Sequence, residues 1–185
     1  MHMLSEKKWL ERMENECRIL FREGYEGEVS PNYEKLIIII RANGFEPPSS
    51  GNKMPSKRTT HKVEISVTRD YPPDVPITRW LTPIFHPNIA PPGPPGYGRV
   101  CMEMLNIGIS TLFELVRGLQ VLVENPNPTS PLNYPTCLKA KKFFEKHSGM
   151  TRETDGPRIV GFDSDTSTGG GPRIIPESGD ECEVM

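Results

Sequence analysis

Four consecutive isoleucines within Tyr33–Arg41 (YEKLIIIIR) limit what this chain can fold into more than any other stretch. Short, uninterrupted runs of β-branched residues are typical of strands with both faces covered, so we expect covering layers on this strand. The preceding Ser5–Glu23 is predicted to be an amphipathic helix that ends at Gly24. Its apolar stripe comprises Leu10, Met13, Cys17, Leu20 and Phe21.

Further strand signals follow the isoleucine run. Phe45–Lys57 (FEPPSSGNKMPSK) has the composition of a loop. Thr60–Thr68 alternates apolar and polar residues, which predicts a strand with one buried face. The residues of that face are Val63, Ile65 and Val67. The proline-rich bend Tyr71–Pro76 ends this strand, and Ile77–Leu81 is a further short strand candidate. We therefore expect an antiparallel meander of about four strands.

Two helices are predicted in the second half of the chain. Thr111 and Glu114 have the spacing of a capping box, and Asn125–Pro126 ends that helix because proline cannot continue it. The second helix runs from about Pro135 to Lys146. The apolar stripes are Leu112, Leu115, Val116, Leu119, Leu122 and Val123 in the first helix, and Cys137, Ala140 and Phe144 in the second. The predicted class is α+β, with an N-terminal helix, the meander, a loop and then helices packed on the sheet.

Composition excludes several kinds of protein. The net charge of −2 argues against nucleic acid as a partner, because duplex binding relies on clustered Lys and Arg. We expect no membrane span, because no apolar run approaches the roughly 18–20 residues needed to cross a bilayer. The first residues are charged rather than apolar, which predicts a cytoplasmic protein without a signal peptide. The four cysteines and four histidines are scattered without metal-ligand spacing, so no metal site is expected.

The end of the chain differs from the rest. Residues 150–185 are acidic, rich in Gly, Ser and Pro, and nearly devoid of apolar pattern. Such a segment cannot bury enough surface to offset the entropy of ordering, so we expect a disordered tail after a single domain at 1–149. The final residues, Cys182 to Met185, fit the C-a-a-X pattern, so Cys182 could be prenylated in a eukaryotic cell.

The stretch Phe85–Leu105 (FHPNIAPPGPPGYGRVCMEML) combines His86, Asn88 and Cys101 around a loop of proline and glycine. From its neighbours alone, Cys101 could be a buried structural thiol or a nucleophile held at a rim. A cysteine hydrolase with Cys101 and His86 as its pair is one reading of this stretch. No residue evident in the sequence would orient the histidine for that chemistry.

The ordered set of elements and motifs resembles the ubiquitin-conjugating enzyme family over roughly Ser5–Ser148. The matching residues are Tyr71, Pro72 and Pro76 in the bend, His86, Pro87, Asn88 and Ile89 (HPNI), Val100, Cys101, Met102, Met104 and Leu105 around the cysteine, and Asn125–Leu132 (NPNPTSPL). The resemblance implies the fold of that family, called the UBC fold. It also implies a transferase that carries ubiquitin or a ubiquitin-like protein.

The resemblance assigns roles to four residues. Cys101 would accept the modifier from an activating enzyme as a thioester, and Asn88 would donate a hydrogen bond to the oxyanion that develops during transfer. Asn88 could equally brace the loop, and both roles can hold together. His86 and Pro87 would be structural parts of the motif. No cofactor is expected in this chain, because ATP is used by the activating enzyme.

The chain departs from the family pattern at several positions. From Asn88 to Cys101 is 101 − 88 = 13 positions, longer than usual, and the excess is Ala90–Gly98. This insertion is expected to overhang the groove for the modifier's tail, where Tyr97 could contact that tail or a substrate; a solvated bulge without a role is the alternative. Ser130 stands where the family often has an aspartate that assists the incoming lysine. Two ligase contacts also differ, at Pro73 and in the NIGIST stretch.

The resemblance implies three kinds of partner: the modifier, an activating enzyme and a RING-type ligase. The activating enzyme would contact the first helix, whose basic residues are Lys7, Lys8, Arg12 and Arg18. A solvated helix face would also contain such residues. The alternative function is a non-catalytic scaffold of the same fold that binds ubiquitin or ligases. The presence of a cysteine after the HPN motif favours the enzyme.

Overall fold

The computed structural model describes residues 5–51, 53–105 and 111–147. The helices and strands are α1 (Glu6–Arg22), β1 (Glu26–Val29), β2 (Lys35–Glu46), β3 (Ser56–Ser66), β4 (Ile77–Trp80), α2 (Leu112–Glu124) and α3 (Pro135–Lys146), with a short 3₁₀ turn at Met102–Leu105. None of the helices within these ranges is long and apolar enough to cross a membrane. The predicted tail at 150–185 lies outside the described residues.

The four strands form one antiparallel sheet in the order β1-β2-β3-β4, so each strand pairs with its neighbour in sequence. The α+β class and the meander are thereby confirmed. Sequence patterning did not find β1 (EGEV), an edge strand whose residues are mostly exposed. Its pairing with the isoleucines of β2 holds it in place, and its own side chains carry no apolar signal.

The β2–β3 hairpin is longer than predicted. β2 continues through the ANGFE sequence to Glu46, and β3 begins at Ser56, so part of the expected loop Phe45–Lys57 is strand. The pairing shifts register between Arg41 and Gly44, which marks a bulge. A Cβ at Gly44 would lie 2.9 Å from Val123 Cγ1, so a larger residue would force the neighbouring side chains to shift.

The isoleucine run is fully covered on one face only. Ile38 and Ile40 have no exposed surface, whereas Ile37 and Ile39 on the opposite face are half-buried. α2 packs on β2 and α1 packs on α2. The expectation that both faces are covered was wrong, because the described helices of the core cover one face.

The apolar stripe of α1 is shifted from the predicted one. Met13, Cys17 and Leu20 are buried, but Phe21 is 38% exposed and Trp9 is buried in its place. Trp9 extends the stripe one turn toward the N-terminus, and Arg69 stacks on its ring at 4.4 Å. Burial, reinforced by the charge of Glu16, raises the pKa of Cys17 to about 11. Cys17 is therefore core, as its position on the stripe indicated.

Both later helices confirm the predicted patterns. The capping box at the start of α2 is complete, since Thr111 Oγ1 accepts from the Glu114 N–H and Glu114 accepts from the Thr111 N–H. All six predicted stripe residues of α2 are buried. Cys137, Ala140 and Phe144 are buried on one face of α3.

A buried carboxylate joins three separate parts of the chain. Glu16 on α1 accepts hydrogen bonds from Arg12 Nε (2.7 Å), the Tyr71 hydroxyl (2.6 Å) and the Leu112 N–H (2.8 Å). Tyr71 lies in the proline-rich bend, and Leu112 is the first residue of α2, where a negative charge is favourable. Burial and the bond to Glu16 raise the pKa of Tyr71 well above its ordinary value.

Glu16→Gln should lower the free energy of unfolding by about 2–3 kcal/mol, because hydrogen bonds to a buried charge are lost or weakened and an amide group faces Arg12. Urea unfolding measures the change. The matched control is Glu11→Gln, since Glu11 forms an exposed pair with Lys7 at 4.0 Å. That change should cost less than about 0.5 kcal/mol. Equal effects of the two substitutions would contradict a structural role for Glu16.

Candidate active site

His86 connects the HPN turn to α2. Its Nε2–H donates to the Leu122 carbonyl at 3.0 Å, and its Nδ1 accepts from the Asn88 N–H at 3.0 Å. This bonding requires the neutral ring with the proton on Nε2. Burial lowers the pKa of His86 to about 3. His86 is thus engaged on both nitrogens, which agrees with a structural role and leaves neither nitrogen available to act as a base.

Asn88 connects the turn to the NPNPTSPL segment, which is residues 125–132. Its Nδ2 donates to the carbonyls of Asn127 (3.0 Å) and Ser130 (2.7 Å), and its Oδ1 accepts from the Asn127 N–H at 2.8 Å. The Pro87 carbonyl accepts from the Leu132 N–H at 2.8 Å. In this arrangement both amide hydrogens of Asn88 are used to brace the segment.

Cys101 follows the loop and is anchored to the same turn. Its N–H donates to the Asn88 carbonyl at 2.9 Å. The side chain is buried in a small cluster with Ala90, Leu132 and Cys137.

Cys17 and Cys137 are free and buried thiols. Burial raises the pKa of Cys137 to about 12, and its Sγ lies 3.6 Å from the Ile89 carbonyl. A thiol with such a pKa has almost no thiolate at neutral pH and is a poor nucleophile. Chemistry at either of these two cysteines is therefore disfavoured.

The proline- and glycine-rich insertion Ala90–Gly98 folds back on the domain. The Gly98 carbonyl accepts from the Trp80 N–H at 2.7 Å, and Gly98 has a φ of 72°. A Cβ at Gly98 would collide with the backbone of Trp80. Gly96 is buried against Ala90 in the same way. Ala90, Gly96 and Gly98 are thus packed on the domain, while Pro92, Pro94, Pro95 and Tyr97 are exposed.

Tyr97 stands at the outer side of this loop. Its φ is 47°, a left-handed conformation that is uncommon for a residue other than glycine. Its N–H donates to the Gly93 carbonyl at 2.7 Å, which closes the turn, and its side chain is 62% exposed. The ring is thus presented to solvent by a strained turn, and it lines a groove together with Val100 and Met102.

The structure brings most of the predicted site residues together. His86, Pro87, Asn88 and Ser130 form one bonded unit, and Cys101 is bonded to it through Asn88. Pro73 is exposed in the bend. The NIGIST stretch falls mostly on residues 106–110, outside the described residues. Tyr134 was missed by sequence reasoning, although it packs on the cluster that contains Cys101.

The basic residues of α1 are not equivalent. Arg12 is bonded to the buried Glu16, whereas Arg18 pairs at the surface with Glu14 at 3.2 Å. Lys7 and Lys8 are exposed. Arg12 was predicted as part of a contact face for an activating enzyme, but its guanidinium is engaged in the internal bond to Glu16. Lys7, Lys8 and Arg18 are the more accessible basic groups of that face.

Residues 49–154 match the family model for ubiquitin-conjugating enzymes. The chain belongs to the ubiquitin-conjugating enzyme family. It is 30% identical over 128 residues to the human protein "Ubiquitin-conjugating enzyme E2 T", covering 60% of this chain and 62% of that protein. It is 27% identical over 159 residues to the Bos taurus protein of that name, covering 69% of this chain and 79% of the relative.

Solved structures of the family share the fold. A Toxoplasma gondii ubiquitin-conjugating enzyme E2 domain superposes with a TM-score of 0.52 at 18% identity, covering 76% of this chain and 90% of that one. Saccharomyces cerevisiae Ubc12 superposes with a TM-score of 0.53 at 23% identity, covering 79% of this chain and 74% of that one. The UBC fold is therefore confirmed.

Burial of neutral His86 should make the fold sensitive to acid. The unfolded state takes up a proton near pH 6.5 and the folded state only near pH 3, so stability is lost as the pH falls below about 6.5. His86 alone should lower the free energy of unfolding by about 2 kcal/mol between pH 7 and pH 5. Urea unfolding of the wild type and of His86→Asn at both pH values isolates this contribution, because the two proteins have all other titrating groups in common. If both proteins lose the same free energy of unfolding between pH 7 and pH 5, His86 is not the cause.

Proposed function

We propose that the protein carries ubiquitin, or a ubiquitin-like modifier, as a thioester on Cys101 and passes it to an amine. The observation that carries the proposal is the position of Cys101. It is hydrogen-bonded to Asn88 of the HPN turn, which in turn holds the 125–132 segment. Membership of the family supports the same reading. The thiols of Cys17 and Cys137 are poor candidates by their raised pKa values.

Loading would be an exchange between two thiols. The Cys101 thiolate attacks the carbonyl carbon of a modifier that an activating enzyme holds as a thioester. A bond forms from Cys101 Sγ to that carbon, and the activating enzyme's sulfur leaves as a thiolate. Charge is conserved, so neither a metal nor a further cofactor is needed in this chain.

Discharge would be an aminolysis. The neutral nitrogen of a lysine attacks the thioester carbon, an amide bond forms, the bond to Cys101 Sγ breaks, and the nitrogen loses a proton to solvent or to the departing thiolate. An oxyanion develops on the way, and Asn88 is our candidate donor to it. Because its two amide hydrogens are bonded to Asn127 and Ser130, this role requires one of these bonds to be exchanged for the oxyanion.

Two further partners belong to this proposal. The activating enzyme would contact the exposed basic groups of α1, namely Lys7, Lys8 and Arg18. A RING-type ligase would contact the bend that contains Pro73. The hydrogen bond from Tyr71 to Glu16 joins the bend to α1. The proposed ligase contact and the proposed activating-enzyme contact are therefore held in a fixed relative position.

Cys101→Ala should abolish a thiol-sensitive band when the reduced protein is mixed with a matched activating enzyme, its modifier and ATP. Cys101→Ser should give a thiol-resistant ester or no product, because oxygen replaces sulfur at the attacking atom. Gel electrophoresis with and without reductant measures both. Cys17→Ala is the control and should load normally. A loaded band of unchanged thiol sensitivity in Cys101→Ala would refute the assignment. If the folded wild type forms no thioester with any of the activating enzymes tested, the result would instead favour a non-catalytic scaffold.

Ser130→Asp should accelerate discharge to free lysine, most clearly near neutral pH, where a carboxylate can accept a proton from the mostly protonated amine.

Asn88→Ala should slow discharge by about a hundredfold or more if Asn88 stabilises the oxyanion. Single-turnover discharge of preloaded protein measures both rates, and loading rates serve as the comparison. If Asn88→Ala slows loading and discharge equally, Asn88 only braces the 125–132 segment. An unchanged rate in folded Ser130→Asp would exclude this position as the gate.

A further inference from the structure

Three lysines form one exposed stripe along α3. Lys139, Lys142 and Lys146 are three and four positions apart, a spacing that places side chains on the same face of a helix. All three are exposed, and they lie on the side of α3 opposite its buried face. We call these three residues the lysine stripe.

The lysine stripe has no acidic neighbour on α3 to balance its charge. Glu145 is the only acidic residue of α3, and it pairs with Lys141 at 4.0 Å. None of the three stripe lysines forms an ion pair with another residue in the described part of the chain. Lysines at this spacing repel one another. The helix dipole favours a lysine in the last turn only, which accounts for Lys146 but not for the other two.

A fourth lysine lies on the same side of the domain. Lys57 on β3 pairs directly with Phe45 on β2, so the two side chains project from the same face of the sheet. The ring of Phe45 packs on Phe143 and Phe144 of α3. Lys57 is exposed and has no ion pair among the residues that the structure describes. The positive surface therefore continues from α3 to the β2–β3 hairpin.

The segment that follows α3 in sequence has the opposite charge. Residues 150–185 contain eight acidic and three basic residues, a net charge of −5, so the rest of the chain carries −2 − (−5) = +3. Half of these acidic residues lie close together and have no basic residue among them. They are Glu177, Asp180, Glu181 and Glu183, and we call residues 177–183 the acidic stretch.

The acidic stretch is tethered close enough to reach the lysine stripe. It begins 31 positions after Lys146. For an unstructured chain of about thirty residues, the root-mean-square end-to-end distance is about 30 Å. The stripe itself spans only about 10 Å along the helix axis. Such a tether gives an effective concentration of the order of millimolar, which favours the chain's own segment over a separate anionic molecule.

We propose that the lysine stripe of α3 is the docking surface of the protein's own acidic stretch. The carboxylates of the stretch pair with the three lysines, and a separate anionic partner reaches α3 only by displacing them. Each exposed ion pair is weak, so the contact is reversible and sensitive to salt. This inference does not depend on the proposed thioester transfer.

Cross-linking of the full-length wild type tests the contact directly. A zero-length carbodiimide joins a lysine amine to a carboxylate where the two touch. An equal mixture of unlabelled and isotope-labelled protein separates links within one chain from links between two chains. By mass spectrometry, links within one chain from the acidic stretch to the stripe should be at least about fivefold more frequent than links to Lys62. Lys62 is the matched control, because it is exposed and alternates with the buried residues of β3.

Salt separates ion pairing from simple tethering. The Debye length falls from about 10 Å at 0.1 M salt to about 3 Å at 1 M, so the preference for the stripe should disappear at the higher concentration. A preference that persists there would reflect the tether alone and would overturn the proposal. Links distributed evenly over the stripe and Lys62, or links found only between two chains, would overturn it as well.

Elution from a heparin column, a polyanion probe, provides a second measurement. The tail variant replaces the four acidic residues of the stretch by their amides, and the stripe variant replaces the three lysines by glutamine. If the stretch covers the stripe, the stripe substitutions should lower the salt concentration of elution at most about half as much in the wild-type background as in the tail variant. The control Lys62→Gln should lower it equally in both backgrounds. Equal effects of the stripe substitutions in both backgrounds would show an uncovered stripe and would refute the docking.

Discussion

The buried carboxylate of Glu16 is the interaction on which the arrangement of this domain depends. It accepts from Arg12 within α1, from Tyr71 in the bend after β3, and from the first backbone N–H of α2. A buried charge is costly unless it is hydrogen-bonded, so Glu16 requires these three donors. The bonds in turn hold the donors in place. The start of α2 is fixed in this way, and α2 in turn supplies the carbonyl that orients His86.

A series of buried hydrogen bonds connects α2 to Cys101. Leu122 near the end of α2 accepts from His86, His86 accepts from the Asn88 N–H, and the Asn88 carbonyl accepts from the Cys101 N–H. Each step is a hydrogen bond inside a buried region, where an unsatisfied group is expensive. This series of bonds therefore fixes Cys101 relative to α2, although a loop of proline and glycine precedes Cys101 in sequence. His86 contributes to the site through its two bonds.

Local patterns predicted most of the fold because each pattern has a local physical cause. The capping box at Thr111 and the buried face of α3 were found this way, and they are correct. β1 was missed because its residues are mostly exposed and its stability comes from pairing with β2. The β2–β3 hairpin was drawn too short because prolines and glycines mark turns in sequence, while backbone pairing decided where the strands end.

The candidate site was only partly accessible to sequence reasoning for a similar reason. The HPN motif and Cys101 form a recognisable series, so the cysteine and its supporting turn could be named from the sequence. The bonds from Asn88 to Asn127 and Ser130 join positions about forty residues apart, and the facing of Arg79 and Arg99 depends on the register of a bridge. Neither secondary-structure propensities nor short sequence motifs specify which distant residues will pair. Such long-range pairs require the fold before they can be seen.

The insertion shows how a loop of proline and glycine can be added to such a site while the cysteine stays in place. Two bridges attach the end of the loop, Arg79 with Arg99 and Ile89 with Val100, so the residues just before Cys101 continue the sheet beyond β4. This segment covers an edge of β4 that would otherwise present unpaired backbone groups. Gly98 is required at the contact, because any side chain would collide with Trp80. The extra length is therefore absorbed before Gly98, and the sheet itself fixes where the chain returns to the cysteine.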